Sequence, residues 1–391
     1  MGSILIKHIL VDGRPCNVLI DGKRFRSFSA ADGAEAETVI DGSGKALLPG
    51  LYNTHTHAPM TLLRGYGDDT ALEDWLQHYI WPREAAMTGE DFRQGYAIAT
   101  REMAQTGTVF FSDMYFDIPK AIEAVAASGL RACFGLVILD GHAHGVKEKD
   151  FEFLKTWQDP TGGRIRFAVA PHAIYTVGEE RLVWAARFAR ENGMLIHTHL
   201  AETRREVEDC IKAHGMRPVA YLDSLGILGP NTIAAHCVQV TPEEADLLAE
   251  RQVTISHCPC SNMKLGSGIF PYETLIKAGC RITLGTDGAS SSNNLDLREA
   301  MKFAALLAKV GGDPQLLPAS QVFDWATRCG AEAFGIDGGV LAEGKLADCI
   351  LVDLDNVKMQ PCHNLISNFV YSADSSCITS VICDGKIIYQ R

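Results

Sequence analysis

Two histidines one residue apart, His55 and His57, close the stretch Leu48-Pro-Gly-Leu-Tyr-Asn-Thr-His-Thr-His57. The stretch reads as a buried strand opened by a Pro-Gly break. Side chains alternate faces along a strand, so the two imidazoles point the same way. Two neutral imidazoles side by side supply half of a tetrahedral metal site. Alone, such a pair is more often two ordinary histidines near a strand end, so the rest of the chain must supply the remaining ligands. The candidates are His199, in His197-Thr-His199-Leu-Ala-Glu202, and Asp287, in Gly285-Thr-Asp287-Gly288. His197 and His199 share a face, and either could turn inward. Three imidazoles and one carboxylate suit one Zn2+ per subunit, with Fe2+ or Mn2+ allowed by ligand type.

Such an ion lowers the pKa of a bound water to about 7 and supplies a nucleophile at neutral pH. Attack on an unreactive ring carbon also needs a proton donor to the ring. Glu202 stands just past the strand that carries His199, on the same side, and a positioned acid-base group contributes roughly 10²–10⁴-fold. It also precedes a helical stretch at 204–214, where a carboxylate is favoured by the helix dipole, and both roles can hold together. His236 ends another strand and is placed to orient or deprotonate the water. His257 ends the next one and is expected to line the same mouth.

These residues need a scaffold that brings strand ends together. Apolar strand patterns end at His57 and span 108–113, 131–137, 166–172, 195–199, 232–236, 253–257 and 281–287. Helical patterns lie between them, with Pro near the start and Gly at the stop in 119–129, and Thr241-Pro-Glu-Glu244 as a helix start. Eight strand-helix units predict a (β/α)8 barrel, with an open doubly wound sheet as the alternative. The polar candidates decide for the barrel: they sit at the C-terminal ends of six of the eight strands. A barrel gathers those ends at one mouth, whereas an open sheet scatters them. The fourth strand ends Ala168-Val-Ala-Pro-His172 and carries no lysine to be carboxylated and bridge a second metal. The two chain ends read as short strands with hairpin signals at Asp21-Gly22 and Asp384-Gly385. Residues 1–46 and 345–391 are therefore expected to pair into a small β-sandwich domain, with the barrel occupying 47–344.

Composition sets the outer bounds. The chain has 391 residues, 47% apolar and 21% charged, ordinary for a globular enzyme. A formal charge of −12 without a basic run argues against nucleic acid as a partner. The Cys258-Pro-Cys260 spacing is not that of a zinc or base-deaminase motif. Twelve scattered cysteines without a framework spacing, no signal-peptide pattern and no segment long enough for a bilayer predict a cytoplasmic protein with reduced thiols and no membrane partner.

At this point the motifs resemble a family. His55-Thr-His57-Ala-Pro-Met-Thr-Leu-Leu-Arg64-Gly, His199-Leu-Ala-Glu202-Thr, Ala235-His236-Cys, Ser256-His257-Cys-Pro-Cys-Ser-Asn262-Met-Lys264-Leu-Gly and Gly285-Thr-Asp287-Gly288 are similar to the amidohydrolase superfamily, most of all to methylthioadenosine/S-adenosylhomocysteine deaminases. The likeness continues through Gly338-Gly-Val-Leu-Ala-Glu-Gly-Lys-Leu-Ala-Asp348 and covers nearly the whole chain. It implies a homo-oligomeric hydrolase that replaces the 6-amino group of a small purine nucleoside, with His55, His57, His199 and Asp287 on the metal. Glu202 would pass a proton to the ring nitrogen, His236 act on the water, and Asp287 carry a proton to departing ammonia. His172 would contact the purine and Glu84 the ribose hydroxyls, which suits a carboxylate facing a cis-diol. Family members that take S-adenosylhomocysteine hold its carboxylate with arginines after the third strand. This chain has Asp140-Gly-His142-Ala-His144-Gly-Val-Lys147-Glu-Lys149 there, without arginine, which favours a smaller or neutral 5′ group. Guanine deaminases and triazine chlorohydrolases share most of the core pattern, so another aminated or halogenated ring is the alternative substrate, and an inactive scaffold of the same fold the alternative from another class.

Overall fold

The computed structural model describes residues 2–391. The chain opens with β1 (Ser3–Val11), β2 (Arg14–Asp21), β3 (Arg24–Ser27), β4 (Thr38–Asp41) and β5 (Lys45–Pro49). Gly50 then turns the chain into the barrel. A Cβ there would lie 2.4 Å from Val109 Cγ1, so only glycine lets the backbone pass this close to the neighbouring strand.

The barrel strands are β6 (Leu51–Thr56), β7 (Thr108–Asp113), β8 (Arg131–Ile138), β9 (Ile165–Pro171), β10 (Leu195–Leu200), β11 (Thr232–His236), β12 (Thr254–His257) and β13 (Arg281–Leu284). They pair in sequence order, all parallel, as the alternating strand-helix pattern requires. β6, β7, β8, β11 and β12 are buried along their whole length, as expected of strands covered on both faces. The seam between β13 and β6 is bridged beyond the regular ladder. Thr54 Oγ1 donates to the Leu284 carbonyl at 2.8 Å, Asp287 N to the His55 carbonyl at 3.0 Å, and Asn53 exchanges two hydrogen bonds with Thr286 at 2.7 and 3.0 Å.

The connecting helices follow their sequence signals. Gly129 closes Ile118–Ser128 in a left-handed conformation, and Thr241 and Glu244 form a reciprocal capping box on Pro242–Glu250. Apolar faces of the outer helices and strands gather into two clusters around the barrel, one of them holding Phe92, Tyr96, Phe111 and Phe134.

The chain ends with β14 (Cys349–Asp353), β15 (Ile378–Cys383) and β16 (Lys386–Gln390). These join the opening strands in the order β16-β15-β14-β5-β1-β2-β3, with β4 also on β1. The sandwich is thus one sheet folded over on itself: Phe25 N donates to the Lys345 carbonyl at 3.0 Å and Ala347 N to the Lys23 carbonyl at 2.8 Å. Its inner face holds Ile6, Val18, Phe25, Leu47 and Leu351. Because β5 pairs along its length with β14, residues 47–49 lie in this sheet. A buried ionic knot ties the sheet to the barrel base. Arg131 on β8 reaches Asp348 at 2.8 Å and Asp384 at 2.6 Å, and Tyr52 on β6 donates to Asp348 at 3.0 Å. Removing one partner of such a knot strands a buried charge, at about 3–5 kcal/mol.

Candidate active site

The four ligand candidates meet at the barrel mouth. His57 Nε2 lies 3.3 Å from His199 Nε2 and 3.2 Å from Asp287 Oδ1, and His55 Nε2 lies 3.4 Å from Asp287 Oδ1. Each imidazole is fixed through its other nitrogen. His57 Nδ1 faces the Met114 carbonyl at 2.7 Å, His199 Nδ1 the His172 carbonyl at 2.8 Å, and His55 Nδ1 shares a hydrogen bond of 2.9 Å with His197 Nε2. A carbonyl can only accept, so Nδ1 of His57 and His199 carries a proton and Nε2 is the nitrogen aimed at the centre, bare in neutral His199 and shared with Asp287 in His57. His55 Nε2 is fully buried with no hydrogen-bond partner. Three lone pairs and a carboxylate oxygen converging on one point are what a divalent cation needs and what protein groups alone leave unsatisfied. His197 and His199 both turn inward, as their shared parity requires. His199 reaches the centre, and His197 lies behind His55 with its Nδ1 3.2 Å from Ser112 Oγ.

Asp287 stands three residues beyond the last residue of β13 rather than on the strand expected at 281–287. Beyond the ladder Asp287 adopts φ +63°, and His236 (φ +73°) and Ala201 (φ +49°) do the same at the ends of β11 and β10. Left-handed backbone at non-glycine residues costs roughly 1–3 kcal/mol each and collects at functional sites. Asp287 is held by Gly288 N at 2.8 Å on Oδ1 and Ser291 Oγ at 2.9 Å on Oδ2.

Glu202 and His236 flank the cluster. Their side chains are 3.7 Å apart, and both are buried. His236 Nδ1 pairs with Asn262 Oδ1 at 2.8 Å, which assigns its proton to Nδ1 and leaves Nε2 facing Glu202. Ser267 Oγ donates to Glu202 Oε1 at 3.2 Å. Asn262 and Ser267 were not singled out from sequence. Asn262 lies in the quoted Ser-His-Cys-Pro-Cys-Ser-Asn motif, and its role becomes visible only when β11 and β12 stand side by side.

One cavity of about 580 Å³, its open mouth included, runs from this cluster to Glu84. His57, His199, Asp287, Glu202 and His236 line it at the cluster, His172 beside them, and Trp81, Glu84 and Phe116 on the other side of Tyr115, whose ring stands 6.2 Å from that of His57. The far wall comes from the segment after β6, where Trp75–Ile80 forms a wide turn with i to i+5 bonding before the short helix Trp81–Ala85. That widening puts Trp75, Ile80, Trp81 and Glu84 on one face. Glu84 is buried, not solvated, and its Oε1 has no partner. His142, from the loop after β8, stacks on Phe116 and brings an unpartnered Nε2 to 3.7 Å from Glu84 Oε2. His144 turns to the backbone instead, 3.1 Å from the Glu84 carbonyl.

His257 does not line this cavity. A Cβ on Gly285 would meet both His55 Cβ at 2.8 Å and Ser256 Oγ at 2.9 Å, so Ser256 shares the inward face. Alternation then sends His257 outward, where it stacks on Phe270 and hydrogen-bonds the Tyr272 hydroxyl at 2.8 Å. The expectation that it faces the mouth took its position at a strand end without its parity.

The model of the Amidohydrolase family matches residues 46–388. The chain belongs to this family. Among curated relatives it is 45% identical to a 5′-deoxyadenosine deaminase of Methanothermobacter thermautotrophicus, over 95% of this chain and 88% of that one. It is 44% identical to a 5-methylthioadenosine/S-adenosylhomocysteine deaminase of Archaeoglobus fulgidus, over 99% and 92%. Among solved structures, a zinc-bound adenosine deaminase from Xanthomonas campestris superposes with a TM-score of 0.92 at 36% identity, over 98% of this chain and 92% of that one. The cluster of this amidohydrolase is a divalent-metal site.

Electrostatics separates the groups of this amidohydrolase site by task. Burial holds the imidazoles of His55 (to about 4), His172 (to about 3) and His199 well below their usual range, so they stay neutral. Burial also opposes charge on His57, but the hydrogen bond and charge of Asp287 outweigh it and lift this ring to about 9, a proton that a bound cation must displace. The carboxyls respond the opposite way. Burial raises Glu202, against the pull of His236, and raises Glu84 to about 7, against the Tyr115 hydroxyl. Raised carboxyl pKa values beside a metal site are what proton transfer near neutral pH calls for.

Proposed function

We propose that this amidohydrolase binds one Zn2+ per chain and hydrolyses the 6-amino group of adenine nucleosides, giving the inosine analogue and ammonia. The observation that carries this reading is the pair of polar ends in one cavity. One end holds the cation cluster with Glu202 and His236, and the other holds the buried, unpartnered oxygen of Glu84. A flat purine bearing a diol has its reacting carbon at one end and its hydroxyls at the other. The kinship with adenine nucleoside deaminases points the same way.

The cation, when bound, supplies a Lewis acid that activates the attacking water. The chain's own groups move the protons. Glu202, its pKa raised by burial, gives a proton to the ring nitrogen beside the reacting carbon as the carbon–oxygen bond forms. His236, its Nδ1 tied to Asn262, offers Nε2 to the water. Asp287 takes the remaining proton of the newly added hydroxyl and passes it to the amino group, so that the carbonyl forms as the carbon–nitrogen bond breaks to release ammonia. Neutral His172 meets the purine edge, and Glu84 accepts from the ribose hydroxyls.

The preferred 5′ group is small and neutral. Neither this cavity nor the groove that adjoins it at Trp81, Leu139 and Tyr175, on the Glu84 side, is lined by lysine or arginine, and Lys147 and Lys149 lie outside both linings. Arg204 and Arg205 line a separate groove that meets the cavity at Leu72 and Leu265, where Arg205 is paired with Glu73 and Asp209. Arg181, nearest in the groove's surroundings, is committed to Asp140 and the Val146 carbonyl. The carboxylate of an amino-acid 5′ tail laid in this groove would meet Asp140 with no free cation to receive it. The test is turnover of adenosine, 5′-deoxyadenosine, methylthioadenosine and S-adenosylhomocysteine by zinc-loaded protein, followed by ammonia release and the absorbance change from adenine to hypoxanthine. The first three are expected to react faster than the fourth. No ammonia from any of them, at full metal content, would end the reading.

A further inference from the structure

Glu206 has no part in the roles given above, yet it is buried at 5% exposure without a lysine or arginine against it. It belongs to the helix Arg204–His214, whose N-cap is Thr203. A carboxylate at the third helical position ordinarily turns back to the N-cap N–H. This one reaches further. Glu206 Oε1 accepts from Ala201 N at 2.9 Å, and Oε2 accepts from Glu202 N at 2.7 Å. The two N–H groups belong to the turn in which Ala201 takes its left-handed φ of +49°. On the other side of that turn the Ala201 carbonyl accepts from Gln239 N at 2.8 Å. The peptide that leads into Glu202 is therefore gripped from both sides, and the outer grip is one side chain.

We infer that Glu206 is a positioning residue: its carboxylate clamps the strained turn after β10 and so fixes where the Glu202 side chain enters the cavity. The inference rests on the proton-donor role of Glu202 proposed above. Burial of an acid with no counter-ion is costly, and this one has had its pKa pushed up to about 7 by that burial. A neutral side chain or a water could satisfy two N–H groups at less cost. What neither offers is two acceptors at fixed spacing on one rigid plane, which suits a backbone that must hold an unfavourable φ. A displacement of about 1 Å in a reacting group lowers rate by about 10²-fold, so a clamp of this kind matters for kcat and little for substrate affinity.

The experiment compares E206Q, E202Q and the double variant as zinc-loaded proteins, with kcat, KM, metal content and melting temperature for each. Gln keeps the shape but turns an N–H donor toward a backbone N–H, so E206Q is expected to lose roughly 10–100-fold in kcat. Its KM should stay within about threefold and its zinc content unchanged, and the double variant should be no slower than E202Q, because the clamp acts only through Glu202. E206D, which keeps the carboxylate but shortens its reach, should recover part of the loss. Wild-type kcat in E206Q beside a slow E202Q overturns the clamp alone. Losses that multiply in the double variant overturn it too, because they show Glu206 acting elsewhere. A wild-type rate in E202Q removes Glu202 from the chemistry, and the clamp falls with it. Should E206Q fail to fold, E206D decides by the same split between kcat and KM.

Discussion

The two ends of the cavity are built on opposite plans. At the metal end each of His55, His57 and His199 is held through Nδ1 and aims Nε2 at the centre, at the ends of strands that cannot shift without breaking the barrel. At the far end Glu84 and His142 come from a widened helical segment and a loop, and each keeps a buried polar atom with no partner. The first end gathers ligand atoms on a rigid frame. The second, on the function proposed above, offers acceptors to the hydroxyls of a ligand. The difference teaches where the energy goes: rigidity is concentrated where bonds change, and unsatisfied polarity is left where recognition occurs.

The largest effect should follow from breaking the complete end. His57→Ala removes one of four ligands, and we expect loss of bound zinc and a rate lower by about 10³-fold or more, measured by metal analysis and ammonia release on the same sample. Full activity in a metal-free preparation would show that the convergence of His55, His57, His199 and Asp287 has no chemical purpose. Next comes Glu202→Gln. It should keep zinc and lose roughly 10²–10⁴-fold in kcat, since it touches proton transfer and not the ligands. Retained turnover with full zinc would confine the chemistry to the cation and its water.

The same contrast explains what was legible in the sequence. Barrel strands are apolar runs that end in polar residues, so their number, order and the inward parity of His55, His57 and His199 follow from period and spacing. Asp287 is a candidate only in the company of the histidines, since before Gly288 it reads by itself as a turn residue, and its left-handed backbone beyond the strand leaves no mark in a sequence of side chains. His257 was misplaced because its parity depends on Ser256, and a serine does not announce which face it takes. His197, Asn262 and Ser267 act through partners 26 to 142 residues away, and such pairings exist only after the strands are side by side. Glu206 left one trace, a spacing of four from Glu202 across an N-cap, which by itself reads as ordinary capping. The far end was the least legible. Glu84 follows Pro82 on a short helix and looks solvated, and nothing in Asp140-Gly-His142 shows that the loop folds back onto Phe116.

A third substitution probes that far end. Glu84→Ala deletes the proposed acceptor for the ribose hydroxyls. A hydrogen bond to a charged group contributes about 1.5–3 kcal/mol, so KM for nucleosides should rise by about 10–100-fold for each hydroxyl that loses its acceptor. Free adenine, which has no hydroxyls to place, should change by less than about threefold. An equal effect on both would mean that Glu84 supports the purine or the fold rather than the sugar.

The smallest effect separates the two ends most sharply, because it shows the stability cost of leaving an acceptor unsatisfied. Glu84 has its pKa raised from 4.5 to about 7, chiefly by burial. Between those values the folded chain holds a proton that the unfolded chain has lost, so stability falls as pH rises through this window and the penalty is complete above about pH 7. Glu84→Gln carries no charge at any pH. Its melting temperature should match the parent near pH 5 and exceed it at pH 8, by about 2–6 °C for a difference on the order of 1–3 kcal/mol. At pH 8 the same variant should bind nucleosides less well, since its amide offers one acceptor where the carboxylate offers two. A variant that is both more stable and a poorer binder would show the carboxylate is kept for the ligand at the expense of the fold. A pH-independent difference in melting temperature, or a loss at pH 8, would instead place the charge of Glu84 among the groups that hold the barrel together.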